Sequence, residues 1–463
     1  LTYRQLLAAN IDFRHLWTGQ VVSEIGDWFN NIAVLALTIQ LAGKGREGQA
    51  VAFYAIARHL PLFLFGPLAG VVVDRVDRRR VMIAADVARA ALALGFLLAN
   101  MTGKLPVIYL VGASLFAVSA FFNAAKRASI PNIVRGLNEL VSANSLSAST
   151  TAATIAVGSA LGGLLSTFIG RNSVFILNSA TFLISAEMIR RIKTVSSRQW
   201  AVGGEEKIVD SKEQVRSSKE SLTNSHAPLS VSLAASRQLP AAYWLDFREG
   251  LRYVRRNKVL WAIFIVAAGW GLGNGVARAL YSIFGARLGV AAAEGLVERP
   301  TDFGISVLFI AMGLGGIIGA PIARRFNAAA GDALASRMGR SMIFDGCGLA
   351  LFSLMPNLWG AALVLVAREI NFAIWWTAQQ TIIMSRTDNA YAGRVFASYE
   401  TLTTLMMVAA MLITGATADK FGIRWVAATG GTVVALSGVM WFVLRRRRSR
   451  DEGVSRNVEE LPS

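Results

Sequence analysis

The chain has 463 residues, 54% of them hydrophobic and only 16% charged, with a mean hydropathy of +0.47. Soluble domains carry roughly 25% charged residues, so this profile excludes a string of soluble domains and fits a protein whose surface faces lipid. The net charge of +18 raises the possibility of a nucleic-acid partner, which the placement of the basic residues must decide.

The first apolar run, residues 13–41, exceeds the roughly 20 residues needed to cross a bilayer. It contains Asp27 and is too long for a cleaved signal peptide. Further runs follow at 51–73, 81–100, 107–124, 140–168 and 173–192, then at 259–284, 303–322, 341–355, 358–385, 395–418 and 425–444. The ninth is the shortest. Inside hydrocarbon each run must satisfy its own backbone hydrogen bonds, so all twelve are predicted to be helices. Residues 194–240, rich in Ser, Lys, Glu and Gln, are expected to form a disordered cytoplasmic linker. In 241–258, Trp244, Leu245, Phe247, Leu251 and Val254 recur at near-helical spacing while Arg248, Arg252, Arg255 and Arg256 take other faces. That pattern predicts a basic amphipathic helix on the cytoplasmic membrane surface. Residues 445–463 read as a basic cytoplasmic tail.

About three quarters of the 47 Lys and Arg fall in alternate loops and at the two chain ends, the asymmetry of the positive-inside rule. Both termini are therefore expected in the cytoplasm, and basicity reports topology, with no nucleic-acid partner. The organisation is one six-helix bundle (1–193), the linker, the surface helix and a second bundle (259–444). The halves echo each other: loop 126–138 leads into a Ser-, Thr-, Ala- and Gly-rich helix, and loop 385–394 leads into another. Weak parallel repeats of this kind mark transporters with the substrate site between two related bundles.

Ionisable residues inside membrane spans are costly and thus informative. Asp27, with Asn30 and Asn31 one turn on, is the leading candidate for a proton-coupling or cation-recognising acid; the competing reading is a structural pair with an Arg such as Arg58. Asp86 and Arg89, three apart on one helix, can pair locally. Arg368 and Glu369 are sequence neighbours and point in different directions, so at least one is a candidate for a central cavity. Arg278, Glu400, Glu187 and Asp345 are weaker candidates. Trp28, Trp270, Trp375 and Trp376 could line an apolar pocket or pack between helices. Cys347 stands alone, so no disulfide framework or Cys-based metal site is expected. His15, His59 and His226 lack metal-ligand spacing, and no Walker A loop is found. No enzyme activity, cofactor or metal is expected.

Between the second and third runs lies Gly70-x-x-x-Asp74-Arg75-x-x-Arg78-Arg79. A carboxylate ending one helix can pair with nearby Arg and face the positive N-terminus of another helix. This spacing resembles the loop motif of the major facilitator superfamily, except that Asp77 stands where a Gly is usual. The resemblance implies a twelve-helix, two-bundle transporter in which Asp74 and its Arg neighbours gate the cytoplasmic side. The second half keeps Gly319, Arg324 and Arg325 but has Ala323 in place of the acid. Gly415-x-x-x-Asp419-Lys420 has similar spacing but falls on the opposite side, and is read as an end-of-helix turn. In the fifth run, Gly158-Ser159-Ala-Leu-Gly162-Gly163 partly resembles the family's antiporter motif, with Ser159 for Pro and Thr154 for an upstream Gly. Helix packing through small residues explains the same letters. The segments at 12–17, 26–28 and 247–254 resemble the branch holding the enterobactin exporter and macrolide-efflux proteins.

The resulting expectation is a monomeric, multi-pass protein of the inner (plasma) membrane that exports a small amphipathic molecule (a drug, a macrolide-like compound or a siderophore) by alternating access with proton antiport. Rival readings are a lysophospholipid or sugar-like solute, uptake in place of export, or a non-transporting sensor or scaffold.

Overall fold

The computed structural model describes residues 2–193, 248–327, 332–388 and 391–459. The linker expected over 194–240 lies outside these residues. A short helix, α1 (Tyr3–Ala9), opens with a capping box between Thr2 and Gln5. It is followed by α2 (Ile11–Ala42), α3 (Glu47–Arg75), α4 (Arg78–Thr102), α5 (Leu105–Ile133), α6 (Leu137–Phe168) and α7 (Gly170–Arg190). The second half supplies α8 (Lys258–Ala293), α9 (Pro300–Phe326), α10 (Asp332–Leu354), α11 (Leu358–Ser385), α12 (Ala392–Phe421) and α13 (Ile423–Glu459).

The twelve expected runs correspond to α2–α13. Ten of these helices are long and apolar enough to cross a membrane. The other two, α2 and α10, carry buried polar groups that lower their apolarity: Asn30 and Asn31 in one, Asp345 in the other. α10 also begins well before residue 341, where the ninth run was expected to start, because Arg337 and Arg340 hide its first turns from a hydropathy reading. Over residues 248–256 the chain is helical. Its apolar side, with Leu251, Tyr253 and the fully buried Val254, packs into the core of the second half. Residues 241–247 of the expected surface helix lie outside the described residues.

Packing repeats between the halves. In the first half α2 lies on α6 and α7, α5 on α3 and α4, and α4 on α7. In the second half α8 lies on α12 and α13, α11 on α9 and α10, and α10 on α13. This is the same pattern with six helices added, so the two six-helix bundles are related by a pseudo-twofold axis. The main contacts between bundles, α6 with α9 and α3 with α12, exchange under that same operation.

The core divides along the membrane normal. At the end remote from the Arg-rich loops, one apolar cluster runs through both bundles, from Phe29, Ile32 and Phe96 to Tyr281, Phe284 and Phe352. At the basic end there are two clusters, one per bundle: Leu6, Phe13, Met82 and Phe122 in the first, and Phe264, Met338, Trp375 and Tyr399 in the second. The molecule is therefore closed at the far end and parted at the basic end.

Glycines permit the closest approaches. A Cβ at Gly158 would lie 2.6 Å from Cβ of Trp28, and one at Gly162 would lie 2.7 Å from Cα of Phe29, so α6 sits against the backbone of α2. Real Cβ atoms do not tolerate such distances, and overpacking costs about 1–3 kcal/mol or more. Gly162→Val should lower the thermal unfolding midpoint in detergent, whereas Gly66→Ala, which meets nothing within 4 Å, should leave it unchanged. An unaltered midpoint for Gly162→Val would contradict this packing.

Candidate functional site

The cleft between the bundles is flanked by α2, α3 and α6 on one side and α8, α9 and α12 on the other. Inside each bundle an arginine is matched by acids. In the first, Arg89 of α4 bonds Asp86, and its Nη1 lies 4.0 Å from Oδ2 of Asp27 on α2. Its guanidinium also stands over the rings of Phe122 and Phe182, at 4.0 and 4.5 Å from their centroids. In the second bundle, Arg368 of α11 meets Asp345 of α10 at 3.1 Å, bonds the hydroxyl of Tyr281 on α8 and lies 3.4 Å from Glu369. Asp86, Arg89, Asp345 and Arg368 are all buried. Such pairs lock each bundle internally, because removing one partner strands a buried charge.

The local pairing of Asp86 with Arg89 follows the expectation. The pairing of Asp27 with Arg58 does not. Arg58 instead donates to Oδ1 of Asn31 and stacks against Trp28 and Phe116, at 5.1 and 5.0 Å from the ring centroids. Arg89, anchored by Asp86 on the same helix, takes up Asp27. The Asp27 side chain keeps 26% of its surface exposed. Asn30 is buried. Arg278 is exposed at mid-helix in α8. Glu369 remains partly exposed beside Arg368, and Glu400 is exposed about two turns from the basic end of α12.

A further polar cluster escapes a sequence reading. Glu24, one turn before Asp27, accepts from Gln20 (2.8 Å), Thr154 (3.1 Å) and Thr151 (3.2 Å) and lies 3.5 Å from Lys126 of α5. The only hint in the sequence is Thr154, the departure from the small-residue motif of the fifth run, which here supplies a hydroxyl to that acid.

At the far end, polar contacts join the bundles. Asp302 of α9, fully buried, takes Arg171 through two contacts of 2.7 and 3.1 Å and also accepts from Ser166. Glu47 of α3 lies 3.3 Å from Arg287 of α8. Asp419, at the end of α12, accepts from the backbone N–H groups of Gly48 (2.9 Å) and Gln49 (3.0 Å) at the start of α3. This turn is therefore more than a helix end: it caps a helix of the other bundle, with its carboxylate on orphan donors at a positive terminus. Gly163 admits Ser306 of α9, since a Cβ there would come within 2.5 Å of that residue's Cβ.

At the basic end, Asp77 caps α4 by accepting from Arg80 N (2.8 Å), which gives the family departure at this position a structural role. Arg78 donates to the carbonyl of Ala128 (2.7 Å) and Arg79 to that of Arg190, holding the loop to its own bundle. Arg75 is exposed, and no neighbour lies within 4 Å of a Cβ placed at Gly70. Asp74 falls in the last turn of α3; its side chain lies outside the described residues.

Two bundles of six membrane helices, related by a pseudo-twofold axis and enclosing a cleft with ionisable groups on both walls, define a multi-pass membrane transporter. The chain belongs to the major facilitator superfamily, whose family model matches residues 16–411. It is similar to a putative bacilysin exporter of Bacillus subtilis, with 33% identity over 186 residues covering 39% of this chain and 44% of that protein. The match thus spans less than half the length of that relative. Macrolide efflux protein A of Streptococcus pyogenes is 23% identical over 448 residues, 95% of this chain and 98% of that protein. Among solved structures, the nucleoside transporter NupG aligns with a TM-score of 0.66 at 11% identity, covering 93% of this chain and 99% of that one. A peptide transporter, POT, aligns at 0.65 and 12% identity, covering 97% and 98%. These two share the fold. The family and efflux branch expected from the motifs are thereby met.

The ion pair in the second bundle gives a direct test. Arg368→Gln should cost about 3–5 kcal/mol of stability by stranding Asp345, and the Arg368→Gln/Asp345→Asn double variant should recover part of that loss. Unfolding midpoints of the four proteins of this cycle check the coupling; strictly additive losses would show that the pair does not act as a unit.

Proposed function

We propose that this protein exports a small amphipathic molecule across the inner (plasma) membrane by alternating access, driven by proton antiport. Both termini then lie in the cytoplasm, and the parted basic end is the cytoplasmic mouth. The observation that carries the reading is closure at one end only: a single apolar cluster binds the bundles at the far end, and two separate clusters serve them at the basic end. Family membership and relatives named for efflux support it. A drug, a macrolide-like compound or a siderophore fits the substrate class, and the protein acts as a monomer whose bundles, residues 1–193 and 259–444, are joined through the linker 194–240 and the amphipathic helix 241–258.

In this cycle Asp27 carries the proton. Its partner Arg89 is held by Asp86, and its side chain is part-exposed at the cleft, so protonation weakens the link between α2 and α4 without stranding Arg89. Asp27→Asn should remove the protonophore-sensitive component of export by at least roughly tenfold, comparable to the loss of a charged hydrogen bond. Ethidium and erythromycin accumulation in cells, with and without a protonophore, measures it. Wild-type protonophore sensitivity in Asp27→Asn would remove the assignment.

Alternation exchanges one helix cap for another. With the basic end parted, Asp419 of α12 caps α3 at the far end. With the far end open, Asp74 of α3 caps α12 at the basic end, using the same Gly-x-x-x-Asp spacing. Asp419→Asn should therefore shift the population toward the far-end-open state by roughly tenfold, and Asp74→Asn should shift it the other way. Spin-label distances across each end, using Lys44→Cys with Phe421→Cys and Arg80→Cys with Arg386→Cys in a Cys347→Ser background, follow the shift. Shifts of the same sign in both variants would refute the exchange.

A further inference from the structure

We infer that the substrate carries an anionic group, and that Arg58 and Arg278, one from each bundle, hold it between them. The inference rests on the reading of the cleft as a transporter's substrate site, and it narrows the substrate to acid-bearing amphiphiles over basic ones.

The placement of the two arginines carries the argument. Ala52 and Ala55 of α3 pack with Ala279 of α8 and Met411 of α12 in a small apolar cluster spanning the bundles. Arg278 directly precedes Ala279, and Arg58 lies one turn beyond Ala55 on the basic side. Both guanidinium groups therefore stand where the closed seam ends and the cleft opens.

Neither makes an ion pair with an acid among the described residues. Arg58 is held by an amide oxygen and two ring faces. Arg278, exposed at mid-helix, has no hydrogen bond or ion pair among the described residues. The acids that could serve them are engaged elsewhere: the carboxylate of Glu369 is bound to Arg368 at 3.4 Å. Asp27 faces Arg89. Two like charges converging across a partly desolvated cleft repel, and an anion placed between them relieves that repulsion while giving both forks charge-assisted hydrogen bonds. The adjacent surface suits an apolar body, since Trp28 under Arg58 packs at 6.0 Å against Phe309 of the opposite bundle. The division of labour is then clear. The substrate's anion goes to Arg58 and Arg278, leaving Asp27 to the proton.

The test is ligand-induced stabilisation of the purified full-length protein. The probes are 4-phenylbutyrate, its primary amide 4-phenylbutyramide, and phenyl phosphate, which matches the aromatic body with a different anion. The acids should raise the unfolding midpoint and the amide should not; whichever acid acts at lower concentration identifies carboxylate or phosphate as the preferred group. Arg278→Gln and Arg58→Gln should each weaken that effect roughly tenfold or more, with Arg278→Lys intermediate. The unliganded midpoint and gel-filtration profile of each variant establish that it is folded. Equal stabilisation by amide and acid, no stabilisation by either acid, or an unchanged response in folded Arg278→Gln would each overturn the proposal. Acid binding that needs both arginines, in a protein whose spin-label distances never alternate, would keep the anion site and reject transport instead.

Discussion

A guanidinium placed between membrane helices has to be met by a carboxylate, a ring face or water, because leaving it desolvated and alone costs several kcal/mol. Four arginines at mid-helix obey this rule in different ways, and the rest of the molecule follows from the difference. Arg89 and Arg368 are buried and matched by acids within their own bundles. They tie α4 to α2 and α11 to α10, so each bundle is stiff. Arg58 is met by an amide oxygen and two ring faces and Arg278 is exposed, and both lie beside the small apolar cluster that joins the bundles. Freedom is left in one place, the interface, and the unspent charge lies there as well.

Under the proposed alternating access, that interface has to close and reopen. Its apolar part is a seam of small residues, where Gly163 receives Ser306 and Gly313 comes within 2.6 Å of Cα of Ala156 through its notional Cβ. Its polar part consists of carboxylates on donors that water can satisfy equally well, such as the amides of Gly48 and Gln49. Exchanging a protein donor for a water donor costs only about 1–3 kcal/mol, so these contacts select an arrangement without trapping it. Asp302 is the exception. It is wholly buried with Arg171 and Ser166, so opening this end must hydrate it.

Most of the fold was legible because lipid imposes a simple rule: long apolar runs must be helices, and basic loops mark one side. The loop at Asp74 and the glycines of the fifth run carried the family. The pairing of charges was not legible. Asp302 and Arg171 are 131 positions apart and Asp419 and Gly48 are 371, and neither hydropathy nor spacing connects residues at that range. The sequence offers Asp27 as a proton-coupling acid or as the partner of an Arg such as Arg58; in the structure it faces Arg89, which Asp86 on the same helix orients. Glu24 was not legible because, Gln20 apart, its partners Lys126, Thr151 and Thr154 come from α5 and α6. Spacing showed the Asp419 turn, but only the packing of α12 on α3 gave it a partner.

The missing acid at Ala323 then acquires a physical sense. The pseudo-twofold operation pairs α3 with α9 and α12 with α6, so a symmetric device would need an acid at the basic end of α9 to cap α6. Ala323 is buried there instead, and the second half carries its acid on α12, at the opposite end. The α3–α12 contact thus has an acid available at either face of the membrane. The α6–α9 contact has Asp302 at the far face, with Ala323 in place of an acid at the basic one. Three carboxylate contacts, those of Asp302, Glu47 and Asp419, join the bundles at the far end, whereas the proposed cap at the basic end would rest on the Asp74 turn. That imbalance favours the arrangement parted at the basic end, which the proposed export requires if cargo is to enter there and meet Arg58 and Arg278 before the far end opens.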